Sequence, residues 1–156
     1  MTAAAYFQPS FVQASMGINK NIDLATDTIN VGLIATSGLA ARTTSEGYQY
    51  VSQLLANGGS ALTEVSGGGY SRQALTSVSW STSALVVTFT AANPSWSSAS
   101  WSTYYAWIHD ETASSSTDAT RPLLAIYDFG GVQTVTSATF TLSVNASGLF
   151  TATMAA

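Results

Sequence analysis

Short runs in which apolar residues alternate with polar ones, separated by turn-forming residues, fill most of this sequence. Residues 28–35 and 139–146 show the pattern, residues 84–90 have the β-branched and aromatic composition of a buried strand, and Gly, Asn or Pro residues stand between such runs. A period of two places successive side chains on opposite faces, as in a strand with one buried face. With about eight to ten such runs, the sequence predicts an all-β fold, an antiparallel β-sandwich of jelly-roll-like form.

The clearest hairpin pattern lies near residue 150. Residues 139–146 alternate strictly, a turn follows, and Phe150, Ala152 and Met154 repeat the alternation. We expect these two runs to pair with each other across the turn.

One segment has helical periodicity. Between residues 45 and 57 the apolar positions form a stripe on one helical face, made by Tyr48, Val51, Leu54 and Leu55. Ser45 can cap the helix, and Asn57-Gly58-Gly59 can end it. We predict one short surface helix at an end of the sandwich.

The chain of 156 residues is predicted to form a single domain, residues 11–156, preceded by an N-terminal arm, residues 1–10. A domain of this size buries about 70% of the surface that its unfolded chain exposes, so it needs no covalent staple. The first residues mix Ala, Gln and Pro with aromatics and do not alternate. They also lack the basic start and apolar run of a signal peptide, so we expect synthesis in a cytoplasm.

Charge is scarce in this chain. Charged residues make up 8% of the sequence, the net charge is −4, and there is no cysteine. Typical soluble domains carry about 25% charged residues. The composition argues against nucleic-acid and anionic-membrane partners, which need a basic surface. A surface of Ser, Thr, Ala and Gly suits a protein packed closely beside copies of itself.

The candidate catalytic and metal-binding groups are few. His109, the single histidine, lies beside Asp110 on a strand, and neighbouring strand residues point to opposite faces. Asp23 and Asp27 could share a calcium ion but lack the EF-hand spacing, so we interpret them as turn caps. Asp128 is expected to pair with an arginine, Arg72 or Arg121. We therefore predict no enzyme, no catalytic or metal-binding residue and no cofactor.

The aromatic residues divide into two groups. Trp80 and Trp107 lie in strand patterns and are predicted to pack in the core. Trp96 and Trp101 lie in a Ser-rich connection and are interpreted as exposed, either as a sugar-stacking platform or as an intersubunit anchor. Gly67-Gly68-Gly69 predicts a turn or a close contact with another chain, because glycine has no Cβ to restrict the backbone.

Several segments, taken in order, resemble a known family. They are residues 21–34, 64–70, 107–112 and 122–130, and the closing Phe-x-Leu-x-Val run. Together they resemble small proteins encoded among the structural genes of tailed bacteriophages, specifically the capsid decoration (cement) proteins. The matching segments span residues 19–154 in sequence order.

The resemblance implies a non-catalytic virion protein that binds the outer surface of an assembled capsid and clamps subunits of the major capsid protein. It also implies symmetric self-association, with a homotrimer as the first expectation. The expected contact residues are Tyr6, Phe7, Pro9 and Phe11 of the arm, together with Trp96 and Trp101. The alternative is a tail or fibre protein, or a carbohydrate-binding receptor-recognition module.

Overall fold

The computed structural model describes residues 4–7, 22–24, 26–45, 47–83, 86–112, 117–144 and 148–153. Two antiparallel sheets and short helices make up the fold, so the predicted all-β sandwich with one short helical region is confirmed. The jelly-roll-like topology stays a prediction. Within the described residues, no helix has the length and apolar character needed to cross a membrane.

The first sheet has five strands and the second has three. The first contains β1 (Ala4–Phe7), β2 (Ile29–Ile34), β3 (Gln73–Ala74), β6 (Ser95–Asp110) and β7 (Leu123–Thr141), in the order β1-β7-β6-β2-β3. The second contains β4 (Ser79–Ser83), β5 (Val86–Thr90) and β8 (Phe150–Thr153), in the order β4-β5-β8. The helices are α1 (Arg42–Ser45), α2 (Val51–Ala56) and a 3₁₀ turn (Asn57–Gly59).

The first sheet is buried on both faces where β2 and β6 pair. Ala106 and Ile108 of β6 pack in a core between the two sheets, with Phe89 of β5. Tyr105 and Trp107, which alternate with them, pack in a second core beneath α2. Strand β6 therefore contributes side chains to both apolar cores. The predicted burial of Trp107 is confirmed.

Strands β6 and β7 form a long, irregular hairpin. Their register shifts at several points, and Ser98 and Ser137 take left-handed φ values of 53° and 47° beside two of these bulges. A bulge inserts an unpaired residue and bends the strand. Ser occupies these strained positions because its short side chain tolerates them better than a β-branched residue would.

The predicted hairpin near residue 150 is wrong. β8 pairs with β5, from Val86↔Thr153 to Phe89↔Phe150, and β7 pairs instead with β6 and β1. Alternation predicts that both segments form strands, but it does not predict which other strand each of them pairs with.

The predicted helix is shorter than expected. It begins at Val51 rather than at Ser45, which belongs to the separate helix α1. The side chain of Gln53 accepts a hydrogen bond from the N–H of Tyr50 at 3.1 Å and satisfies the start of α2. Asn57, with φ of 46°, takes the left-handed position that ends the helix.

Part of the predicted arm lies in the sheet. Residues 4–7 form the edge strand β1, with Ala4 opposite Asp128 and Phe7 opposite Ala125 of β7. Tyr6 belongs to this strand, opposite Ile126. The predicted contact residues Pro9 and Phe11 lie outside the described residues.

Candidate functional site

Five charged side chains and the imidazole of His109 gather at one end of the first sheet. Six side chains form a connected group, here called the ion-pair network: Glu64, Arg72, His109, Glu111, Asp118 and Arg121. Arg72 donates to Glu64 at 2.7 Å and to Asp118 at 2.6 Å. Arg121 joins Asp118 to Glu111, which also contacts the imidazole of His109 at 3.1 Å.

Antiparallel pairing brings these residues together. His109 lies at the end of β6 opposite Asn30 of β2, and Glu111 follows it two residues later on the same side. Asp118 and Arg121 come from the loop that joins β6 to β7. The network therefore ties this loop to the segment that contains Arg72, just before β3.

Hydrogen bonds within the network favour the ionised forms of Asp118 and Glu111. The bond from Arg72 lowers the pKa of Asp118 to about 2. Burial alone would raise the pKa of Glu111, but hydrogen bonds from Arg121 and His109 lower it below its usual value. Burial, together with the hydrogen bond that Tyr70 donates to Glu64, raises the pKa of that phenol.

His109 is a buried, neutral histidine. Its side chain has no exposed surface, and burial lowers its pKa to about 4. The imidazole of His109 stacks on the indole of Trp107 at a centroid distance of 6.4 Å. The guanidinium of Arg72 also lies over the Trp107 ring, 5.2 Å from its centroid. Such a histidine has no access to an external substrate, and its position suits packing and hydrogen bonding.

We expect Arg72→Met to lower the free energy of unfolding by about 2 kcal/mol at pH 7. The substitution leaves Glu64 and Asp118 as half-buried carboxylates that have lost a charged donor. Chemical denaturation with urea measures the loss. Arg72→Lys keeps the charge but loses the bidentate hydrogen bonds, so the free energy of unfolding should decrease less than in Arg72→Met. A loss below about 0.5 kcal/mol in Arg72→Met would contradict this role for the network.

The other carboxylates bind backbone groups. Asp128 was predicted to pair with an arginine, and this is wrong: it accepts a hydrogen bond from the N–H of Gly130 at 2.8 Å. Arg72 and Arg121 are already engaged in the network.

Asp27 accepts a hydrogen bond from the N–H of Asp23 at 2.6 Å, as expected of a turn cap. No set of three metal-ligating side chains comes together in the described part of the chain.

The predicted exposure of Trp96 is wrong. Trp96 is 1% exposed and its ring N–H donates to the carbonyl of Ser71 at 2.6 Å. Trp101 is half-buried and packs edge-on against Trp96 and against Phe140 of β7. The Ser-rich connection is in fact part of β6, and both indoles pack against Tyr70. Five residues apart, they would point to opposite faces of a regular strand, and the register shifts between them bring both to the same side.

The glycine run forms a turn against the same chain. Gly67, Gly68 and Gly69 all have positive φ, and the carbonyl of Gly68 accepts a hydrogen bond from the N–H of Ser100 at 3.0 Å. A Cβ on Gly68 would lie 2.4 Å from the carbonyl oxygen of Ser100. The predicted turn is therefore confirmed, and the close approach is to β6 of this chain.

Among the aromatic side chains that the structure describes, Trp80 is the exposed one. It was predicted to lie in the core, but it is 61% exposed on β4, a strand whose five residues are all exposed. The hydroxyl-rich sequence Ser-Trp-Ser-Thr-Ser was the available signal, since it lacks a second apolar residue to form a buried face. Val132 is 48% exposed on the other sheet.

No protein-family model, no curated protein and no solved structure matches this chain.

Proposed function

We propose that this chain is a structural protein of a tailed-phage virion that binds the outer surface of the assembled capsid as a decoration protein. One observation carries the proposal. Among the charged residues whose side chains the structure describes, only Asp23 is exposed, because most of the others lie in or beside the ion-pair network. A surface with few exposed charges sets up only a weak repulsive field between closely packed copies, even at a net charge of −4.

The sequence resemblance supports the same role. The partners would be the major capsid protein and further copies of this chain, arranged about a local threefold or twofold axis with a homotrimer as the first model. The protein would be made in the host cytoplasm and would join the shell after the shell assembles. Because it binds the lattice and not free subunits, it stabilises the lattice by mass action, without any catalytic step.

We expect the full chain to co-sediment with intact shells stripped of it, and a variant lacking residues 1–10 to bind them at least about tenfold more weakly. The deletion removes both the edge strand β1 and the remaining arm residues. Bound copies per shell are counted by gel densitometry at several protein concentrations. Thermal melting checks that the truncated domain is folded. Equal binding by the two proteins would contradict a role for the arm, and no binding by either would contradict the capsid role.

The alternative, a tail, fibre or carbohydrate-binding recognition module, has one observation in its favour. Trp80 presents an exposed indole among serine and threonine hydroxyls, and such a ring can stack on a sugar. Glycan-array binding by the isolated protein that is lost in Trp80→Ala would favour this alternative over the capsid role. The predicted platform of Trp96 and Trp101 is not available, because Trp96 is buried.

A further inference from the structure

Strand β4 forms an uncovered edge of the second sheet. Within the described residues it pairs on one side only, with β5. We propose that β4 pairs along its other side with β4 of a second copy of this chain, antiparallel about a twofold axis. The two three-stranded sheets would then join into one continuous sheet. The inference concerns the free chain in solution and does not depend on the capsid proposal.

The backbone of β4 is regular and has no feature that would block pairing with a further strand. Its register with β5 runs without interruption from Ser79↔Thr90 to Ser83↔Val86. An edge strand directs a row of backbone N–H and C=O groups outward, and proteins usually protect it with a lysine, a proline or a bulge. β4 contains none of these, and all five of its residues are exposed.

The chemistry of β4 favours a second copy as the partner. The strand has no charge, so two copies can meet at this edge without the repulsion that like charges cause in opposing strands. Its sequence is also nearly symmetric about Ser81, with Ser79 and Ser83 at equal distances on either side. A twofold axis through Ser81 therefore places serine opposite serine at both ends.

This arrangement also covers the exposed indole. With the axis at Ser81, Trp80 lies opposite Thr82 of the second copy, and the two Trp80 side chains are diagonal neighbours on the same face. Diagonal neighbours are roughly 7–8 Å apart, which is within reach of aromatic side chains. Trp80 is the most exposed of the large apolar side chains that the structure describes, so the pairing removes the largest such surface from water.

Sedimentation equilibrium over a concentration series tests the proposal with three proteins: the full chain, Trp80→Lys and Val132→Lys. We expect a monomer–dimer equilibrium in the full chain and a dissociation constant at least about tenfold higher for Trp80→Lys. A lysine on an edge strand opposes pairing by its charge. Val132 is the matched control, since it is also an exposed apolar residue but lies on β7. Its lysine variant should dimerise like the full chain.

Hydrogen exchange distinguishes strand pairing from a contact made by the indole alone. Amides of residues 79–83 should exchange more slowly in the dimer than in the dilute monomer. Thr82→Lys, on the same face of β4, should weaken dimerisation as Trp80→Lys does, and thermal melting shows that both variants fold. A monomer at every concentration, an undiminished dimer in both lysine variants, or unchanged exchange of β4 would each overturn the proposal.

Discussion

Gly32→Ala is expected to lower the free energy of unfolding by about 3 kcal/mol. Gly32 lies in β2 opposite Trp107 of β6, and a Cβ at this position would lie 2.3 Å from an atom of the Trp107 six-membered ring. The indole cannot move aside easily, because Trp107 is fully buried and packs against His109 and Arg72. Urea denaturation at pH 7 measures the difference.

Gly131→Ala is the matched control for this substitution. Gly131 lies in β7, and a Cβ there would meet no atom within 4 Å. We expect its stability to change by less than about 0.5 kcal/mol. Trp107→Phe removes part of the ring that obstructs residue 32, so Gly32→Ala should cost less in that background than in the natural chain. Equal costs in the two backgrounds would show that the predicted clash does not occur.

The second large effect is a loss of stability in mild acid that originates at His109. Its pKa is about 4 in the folded protein and about 6.5 in an unfolded chain. Between these values the unfolded state binds the proton and the folded state does not. The contribution of the neutral His109 to the free energy of unfolding is therefore complete above pH 6.5. It decreases as the pH falls towards 4, by about 3 kcal/mol in total. Arg72 and Arg121 also oppose protonation of the ring, whereas Glu111 favours it.

His109→Gln separates this effect from those of the carboxylates. Gln does not titrate but retains an N–H donor for Glu111, so the variant should show a much flatter dependence of unfolding free energy on pH between 4 and 6.5. Asp118, with a pKa of about 2, contributes its loss only below about pH 4. Because the chain has a single histidine, NMR can follow its imidazole directly. A measured pKa near 6.5, or an equal pH slope in the variant, would contradict the burial of this ring.

The ion-pair network could not be predicted from the sequence. Asp118 lies 46 residues beyond Arg72, and the sequence instead predicted that Asp128 pairs with one of the arginines, Arg72 or Arg121. A charged side chain that becomes buried requires a partner of opposite charge or a hydrogen bond. The identity of that partner depends on which loop packs against which strand. The interpretation of Asp27 as a turn cap, which depended on a near neighbour, agrees with its observed contact with Asp23.

The tryptophans show the same division. Trp107 was correctly placed in the core because β-branched and aromatic residues surround it on a strand that is apolar on both faces. Trp80, which alternates with serine, was placed in the core but is exposed, and Trp96, which was placed in an exposed connection, is a buried residue of β6. Alternation tells which side chains share a face, and the covering of that face depends on elements that lie elsewhere in the sequence.

The amino-acid sequence by itself determined the all-β class, the strand-forming segments, the turn at Gly67–Gly69 and the scarcity of charge, because these depend on residue type and local spacing. The tertiary structure alone decided that β8 joins β5, that five charged side chains and His109 meet in one network, and that β4 pairs on one side only within the described residues. Each of these depends on contacts between distant segments. Such contacts arise from the packing of the whole chain, and a period of two is compatible with many packings.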